Sequence, residues 1–401
     1  MKVFFMSTHP NQGTGYARVA NKITNYLANL PGIEVVYYAF QNYPDQDIKD
    51  RFIDPRIKFY DAIEIDPESP KGFGDKGIVP AIIKEKPDIL FLYNDLPVCT
   101  MIMDMIPTQH MPPKKYVYLD IVYPWESLSY YGKLKQHNPD TIWVFLECWK
   151  RHLVEDLRFE ESRVGVLPHG VDFERFVDIP RDEAKESFGF DKDDFVVINM
   201  NRNSYRKQWC VTIKAFLDFL HEQDMNPKIK LFCGCMTETD DGYKLPDLIM
   251  VECIRRGMDP DVVCNKHIFI NTKPLHLSDA SVNEIYNMGD VGMNTCCGEG
   301  FGLTTMEHAY FNRPQIVSGV SALKETLHGI AHIVEPILWT TVSSFESHSG
   351  DIAVFDSREF TKHLHNCYNT RNDVSIDSRS HVKNKYSWEN VYKVLDCYFK
   401  K

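Results

Sequence analysis

Short apolar runs recur along the chain, and most are followed by a stretch with helical periodicity. In the first half, the runs at 2–6, 35–40, 89–93, 115–119 and 141–145 predict strands, with helices between them over 17–29, 78–84, 98–105 and 148–157. Continuous rather than alternating apolar runs belong to strands covered on both faces, so the pattern predicts parallel βαβ units. The rhythm pauses in the charged stretch "IPRDEAKESFGFDKDD" (179–194) and then restarts. Strands are predicted at 195–200, 229–232, 267–270, 291–294 and 315–317, and helices near 208–223, 246–256, 278–288 and 303–312. The Ser/Thr-rich segment 337–354 fits neither period. The stretch 387–400 reads as an amphipathic helix with Trp388, Val391, Leu395 and Tyr398 on one face. The expected fold is α/β, two Rossmann-like doubly wound parallel-sheet domains in tandem. Such sheets bind ligands at the carboxyl ends of their strands, and two facing domains would form a cleft.

Composition narrows the function classes. The chain has 401 residues, which favours two domains over one, and its 43% hydrophobic and 25% charged residues are ordinary for a globular protein. Its net charge of −11 argues against a general nucleic-acid binder. The apolar run at 3–6 is too short for a signal peptide, and no stretch of about 18 apolar residues would span a membrane. Nothing marks a strongly basic membrane-binding helix. The eleven cysteines are scattered and read as reduced thiols of a cytoplasmic protein. Neither Cys233/Cys235 nor Cys296/Cys297 has a second half at zinc spacing, so no metal site is expected.

Three stretches carry chemistry. In "GEGFGLTTME" (298–307), Gly298, Gly300 and Gly302 follow a predicted strand and lead into a helix. A glycine-rich turn at a helix start directs backbone N–H groups at a phosphate. Glu299 and Glu307 would repel that phosphate, so they must serve hydroxyl groups of the same ligand, as in a nucleotide sugar. Solvent-exposed glutamates in a loop and on a helix are the plainer alternative. In "MNRNSYRKQ" (200–208), Arg202, Arg206 and Lys207 follow the first strand of the second half. Such cations neutralise a departing diphosphate without a metal, with Arg206 expected to be surface charge. An ordinary solvated loop is the alternative. In "HPNQGTGYARV" (9–19), Gly13 and Gly15 resemble the opening of a dinucleotide fingerprint, but Arg18 stands where the third glycine should be. A loop allowing close ligand approach fits better.

The region "VGMNTCCGEGFGLTTMEHAYFNRPQIVSGVSALKET" (291–326) resembles the signature of glycosyltransferase family 4, retaining enzymes of the GT-B fold. Arg202 and Lys207 have that family's spacing of five, "LPHGVDFERF" (167–176) is similar to its Pro-Asn-Gly-Val-Asp turn with His169 in place of Asn, and "YSWENV" (386–391) resembles its final helix. The resemblance implies domains at 1–170 on the acceptor side and 171–386 on the donor side, with the helix at 387–401 packing back on the first. It implies that Glu307 holds ribose hydroxyls and Glu299 the donor sugar. Gly300, Phe301, Gly302, Leu303 and Thr304 would line the donor, the backbone N–H groups of Phe301, Gly302 and Leu303 facing it. Arg202 and Lys207 would bind diphosphate. Gly13 and Gly15 would approach the donor, and Thr272, Lys273, Pro274 and Leu275 would border the base. Many members carry a histidine after the strand that here reads "KYVYLDIVYPWE"; Asp120 stands at about that place, either near the acceptor hydroxyl or as a helix cap. His9 and His169 read as hydrogen-bonded loop histidines.

The expectation is therefore a hexosyltransferase that moves a sugar, with retention, from a nucleotide diphosphate to a hydroxyl of a glycan or other acceptor. It needs no cofactor, and GDP-mannose is favoured over a UDP-sugar as donor. The Asp-x-Asp spacings at Asp45/Asp47, Asp191/Asp193 and Asp259/Asp261 read as turns or caps rather than a metal site. A nucleotide-sugar epimerase and a non-catalytic sugar-nucleotide-binding protein are the rival readings.

Overall fold

The computed structural model of the protein describes residues 1–43, 51–271, 277–342, 349–371 and 377–400. Contacts divide the chain into two compact units. Met1–Gly170 and the last helix, Trp388–Phe399, belong to the first; Val171–Val342 and Asp351–Ser387 belong to the second.

The first unit is built on a seven-stranded sheet in the order β3-β2-β1-β4-β5-β6-β7. These strands are β1 (Lys2–Thr8), β2 (Glu34–Phe40), β3 (Lys58–Asp61), β4 (Ile89–Asp95), β5 (Lys114–Asp120), β6 (Thr141–Val144) and β7 (Val164–Val166). The second unit holds a six-stranded sheet in the order β10-β9-β8-β11-β12-β13. Its strands are β8 (Phe195–Asn199), β9 (Ile229–Met236), β10 (Ile268–Asn271), β11 (Val291–Asn294), β12 (Gln315–Ser318) and β13 (His332–Val334). Every neighbouring pair in both sheets is parallel. The continuous apolar runs are explained by burial on both faces: Val3, Phe4, Phe5 and Met6 of β1 are all inaccessible to solvent. The two doubly wound sheets are those expected of the GT-B fold. None of the described helices is long and apolar enough to cross a membrane.

The order in which successive strands are laid down reverses between β1 and β4 in one sheet and between β8 and β11 in the other, while all strands stay parallel. At such a switch point the loops leaving adjacent strands diverge and open a crevice at the carboxyl ends. The loops at these two points are 9–14 after β1 and 200–208 after β8, together with the segments after β4 and β11.

The structure adds short elements that the pattern did not predict. β3, β7 and β13, with four, three and three residues, are edge strands too short to register as periodic runs. Segment 337–354 contains β14 (Leu338–Val342) and β15 (Gly350–Val354), which form a separate two-stranded sheet. The polar helices Leu128–His137, Arg181–Ser187 and Ser357–Asn369 also went unpredicted.

The last helix buries Trp388, Val391, Leu395 and Phe399. Phe399 replaces Tyr398 on the expected apolar stripe. Eleven residues bring a helix back to within about 20° of its starting direction, whereas ten fall about 80° short. The Phe399 ring lies 6.3 Å from Phe91 and 5.9 Å from Tyr116, inside the first sheet's core. Tyr398 packs its edge on Trp143 at 4.8 Å, and Tyr392 stacks on Tyr26 at 3.8 Å.

Leu395 is fully buried, so Leu395→Ala should destabilise the first unit by about 2–5 kcal/mol through lost transfer energy and the cavity left behind. Urea unfolding measures this; a loss below about 1 kcal/mol would mean that the helix contributes little to that core.

Candidate active site

The second unit's switch point gathers a cluster of buried polar side chains that fixes two loops against each other. Asn199, the last residue of β8, donates from Nδ2 to Thr212 Oγ1 at 3.0 Å, while its Oδ1 accepts from Asn201 Nδ2 at 2.7 Å. The hydroxyls of Thr212 and Thr295 are 2.7 Å apart, and Thr295 donates to the carbonyls of Lys207 and Gln208 at 3.1 Å each. On the β11 side, Asn294 donates to Thr305 Oγ1 at 3.0 Å and accepts from the Cys296 amide at 3.2 Å. Buried polar groups satisfied in this way hold one geometry, because any rearrangement would strand a donor or acceptor away from water.

This frame presents Lys207 to Glu299. The Lys207 ammonium bonds Glu299 Oε2, and Arg206 Nη1 lies 3.6 Å from Glu299 Oε1. Arg206 also donates to the Gly298 carbonyl at 2.7 Å, and its own carbonyl accepts the Cys297 amide at 2.9 Å. Arg206 is thus part of the cluster, not the surface charge that its sequence context implied. The guanidinium of Arg202 instead pairs with Asp241, with most of its side chain exposed. Burial alone would raise the Glu299 carboxyl, but Lys207 and Arg206 overcome that and hold it down at about 2.

Gly302 closes the turn. Its φ of 93° lies in the left-handed region, and a Cβ there would sit 2.6 Å from Leu323 Cδ2. The helix Leu303–Ala309 starts at the next residue, with Thr304 in its first turn and Phe301 buried edge-on to Tyr386. One turn further, Glu307 Oε1 pairs with Arg175 Nη2, and Glu307 Oε2 accepts the Tyr286 hydroxyl at 2.8 Å. Burial raises the Glu307 carboxyl while Arg175 opposes the rise, and the guanidinium's own pKa is raised by the carboxylates of Glu307 and Asp279 against the effect of burial. Arg175 also reaches Asp279 at 2.8 Å. Arg175 and Tyr286 were missed from the sequence, although Arg175 lies inside the quoted "LPHGVDFERF" turn. Thr272, Lys273, Pro274 and Leu275 lie outside the described residues.

The first unit's switch point is acidic. Gly13, in the loop after β1, and Gly15, the first residue of the helix Gly15–Ala28, are exposed, and Thr14 caps that helix by accepting the Ala17 amide at 3.2 Å. Tyr16 donates its hydroxyl to Asp120 Oδ2 at 2.7 Å. Asp120 ends β5 and pairs in register with Asp95, which ends β4 and caps the next helix through the Val98 amide at 3.1 Å. Glu126, missed from the sequence, is buried just beyond and accepts the amides of Val122 and Tyr123 at 3.2 Å. Burial, helped by Asp120 and Asp95, pushes its carboxyl up to about 8 against those two amides. His169 is buried against Phe145 at 3.9 Å, and burial lowers it to about 3, which keeps it neutral. His9 accepts the Asn11 amide at Nδ1, 3.1 Å away, which directs its proton to Nε2, 3.6 Å from Asp61. Among the Asp-x-Asp pairs, Asp259 caps a helix and Asp191 pairs with Lys228 at 2.8 Å, while Asp45 and Asp47 lie outside the described residues.

No family profile matches the chain, and no curated protein matches it. Solved structures do. Sucrose-phosphate synthase from Thermosynechococcus elongatus is 12% identical with a TM-score of 0.72, over 100% of this chain and 98% of that one. HepE from Anabaena, in complex with UDP-glucose, is 12% identical with a TM-score of 0.70, over 99% of this chain and all of that one. Trehalose-6-phosphate synthase, solved in a study of glycosyl transfer with retention, is 12% identical with a TM-score of 0.66, over 100% and 99% of the two chains. At this identity the likeness is one of fold, and it extends over essentially the whole chain.

Glu126 gives a test with a definite sign. A carboxyl whose folded pKa is raised above the unfolded value of about 4.3 costs stability as pH climbs between the two. Glu126→Gln keeps an acceptor oxygen for both amides. It should therefore be more stable than the parent at pH 8 and indistinguishable from it near pH 4, as read by urea unfolding at the two pH values. Equal stability throughout would place the Glu126 carboxyl in the ordinary carboxylate range.

Proposed function

We propose that the protein is a glycosyltransferase that moves a hexose from a nucleotide diphosphate to an acceptor hydroxyl with retention at the anomeric carbon, without a metal. The observation that carries this reading is the contact of Glu299 with Lys207 and Arg206 at the strand ends of a switch point. Cations for a diphosphate and a carboxylate for hydroxyls stand side by side there. The whole-chain likeness to glycosyltransferase structures supports it.

In this reading the bond between the anomeric carbon and the diphosphate oxygen breaks, and a bond from the same carbon to the acceptor oxygen forms on the same face. Negative charge grows on the departing phosphate, where Lys207 and Arg202 stabilise it. The acceptor proton passes to that departing phosphate oxygen. Glu299 accepts hydroxyls of the transferred sugar and Glu307 those of the ribose. Gly300, Phe301, Gly302, Leu303 and Thr304 line the donor, and Lys273, Pro274 and Leu275 border the base. Gly13 and Gly15 admit the donor closely, and Asp120, steadied by Tyr16, orients the acceptor hydroxyl. Family resemblance favours GDP-mannose as donor; the UDP-glucose held by HepE favours a UDP-hexose as a second reading.

Labelled GDP-mannose and UDP-glucose, each incubated with the protein and a panel of glycan acceptors, separate the possibilities. Transfer supports the proposal, epimerised sugar without acceptor points to an epimerase, and retention of intact donor points to a binding protein. Glu299→Gln should lower transfer about 10²- to 10³-fold while the protein remains folded. Transfer within a few-fold of the parent would remove Glu299 from the sugar site.

A further inference from the structure

The family resemblance gives Arg206 no role and gives Glu299 only the sugar hydroxyls. In the structure one carboxylate is shared by two cations, Lys207 on Oε2 and Arg206 near Oε1. Both carboxylate oxygens are therefore directed at the groups that would meet a diphosphate. We propose that Glu299 is a built-in counter-ion that occupies Lys207 and Arg206 until the diphosphate of a donor displaces it, and that Arg206 is a further anion-binding cation of the site. The proposal rests on reading the site as one for nucleotide sugars.

Three features support it. First, the placeholder is charged at neutral pH, because its carboxyl is held at about 2 by the two cations against the effect of burial. Second, the Arg206 guanidinium and the Lys207 backbone have anchors other than Glu299. Arg206 is tied through Nη1 to the Gly298 carbonyl and through its own carbonyl to the Cys297 amide. The Lys207 carbonyl is anchored by Thr295. The carboxylate can leave without carrying the Arg206 guanidinium or the loop that bears Lys207 away. Third, exchanging one anion for another avoids a stage with buried unpaired charge, which is the costly alternative. The displaced carboxylate then becomes available to the sugar hydroxyls beside the diphosphate. Arrival of the phosphates and recognition of the sugar become one coupled event. The Cys296 thiol nearby, 3.4 Å from the Ser318 hydroxyl, is pushed up to about 12 chiefly by burial, so it stays neutral and does not compete for the cations.

The test uses inorganic pyrophosphate, which carries no sugar for Glu299 to bind. Calorimetry compares the parent protein, Glu299→Gln, Arg206→Met and the double variant. Removing the competing charge should tighten pyrophosphate binding about tenfold in Glu299→Gln. Made in the Arg206→Met background, the same change should gain less than about threefold, because one of the cations that Glu299 occupies has gone. If Arg206→Met fails to fold, Lys207→Met takes its place in the cycle with the same expectation. The proposal is overturned if Glu299→Gln binds pyrophosphate no more tightly than the parent, if the gain persists undiminished without Arg206, or if none of the proteins binds it. Failure of the wider reading looks different: pyrophosphate obeys the cycle while neither GDP-mannose nor UDP-glucose is bound or transferred.

Discussion

A carboxylate taken out of water must be balanced inside the protein, and the second unit is organised around the balancing of Glu299. Its partner Lys207 is itself mostly buried, so neither charge has water to fall back on. Deleting one partner of such a pair typically costs about 3–5 kcal/mol, since the other is left uncompensated. Their contact spans 92 residues of sequence, from the loop after β8 to the turn after β11. The intervening requirements follow from it. Parallel pairing of β8 with β11 brings the two loops together, the hydroxyls of Thr212 and Thr295 lock them, and Gly302 lets the chain turn directly into its helix.

The two sheets use the same topological position for opposite electrostatics. At the second sheet's switch point, cations press a buried carboxylate toward its ionised form. At the first sheet's, burial of Glu126, helped by Asp120 and Asp95, presses a carboxyl toward its neutral form. Loop sequence, not strand order, sets this difference. Two similar Rossmann-like frames thereby carry switch points of different electrostatic character.

Much of the architecture was readable in advance because strands buried on both faces leave a strong apolar signature. All the predicted strands occur, and the helices predicted at 208–223 and 278–288 end within a residue or two of Trp209–Glu222 and Asp279–Met288. What escaped notice had weak local signals. β7 and β13 are three residues long, and helix Ser357–Asn369 is polar except for a narrow stripe. In the site, the glycines and the strand-to-helix turn could be read from local sequence. The partners could not, because contact across 92 or 132 residues leaves no mark in spacing. Arg202 and Arg206 are equally basic neighbours on the page; only the three-dimensional course of the loop directs Arg206 to Gly298 and Arg202 to Asp241.

The return of the last helix to the first unit has a consequence for synthesis. The N-terminal sheet is complete once β7 has been made, yet Phe91, Tyr116 and Trp143 keep an uncovered apolar face until residues 388–399 have emerged. The second unit, whose six-stranded sheet lies within 195–334, must be translated in between. A ribosome therefore carries a half-finished first unit through the making of some 220 further residues, from the end of β7 at Val166 to the start of the last helix at Trp388. That interval is when the nascent chain most exposes sticky aromatic surface, and chaperone occupancy should concentrate there.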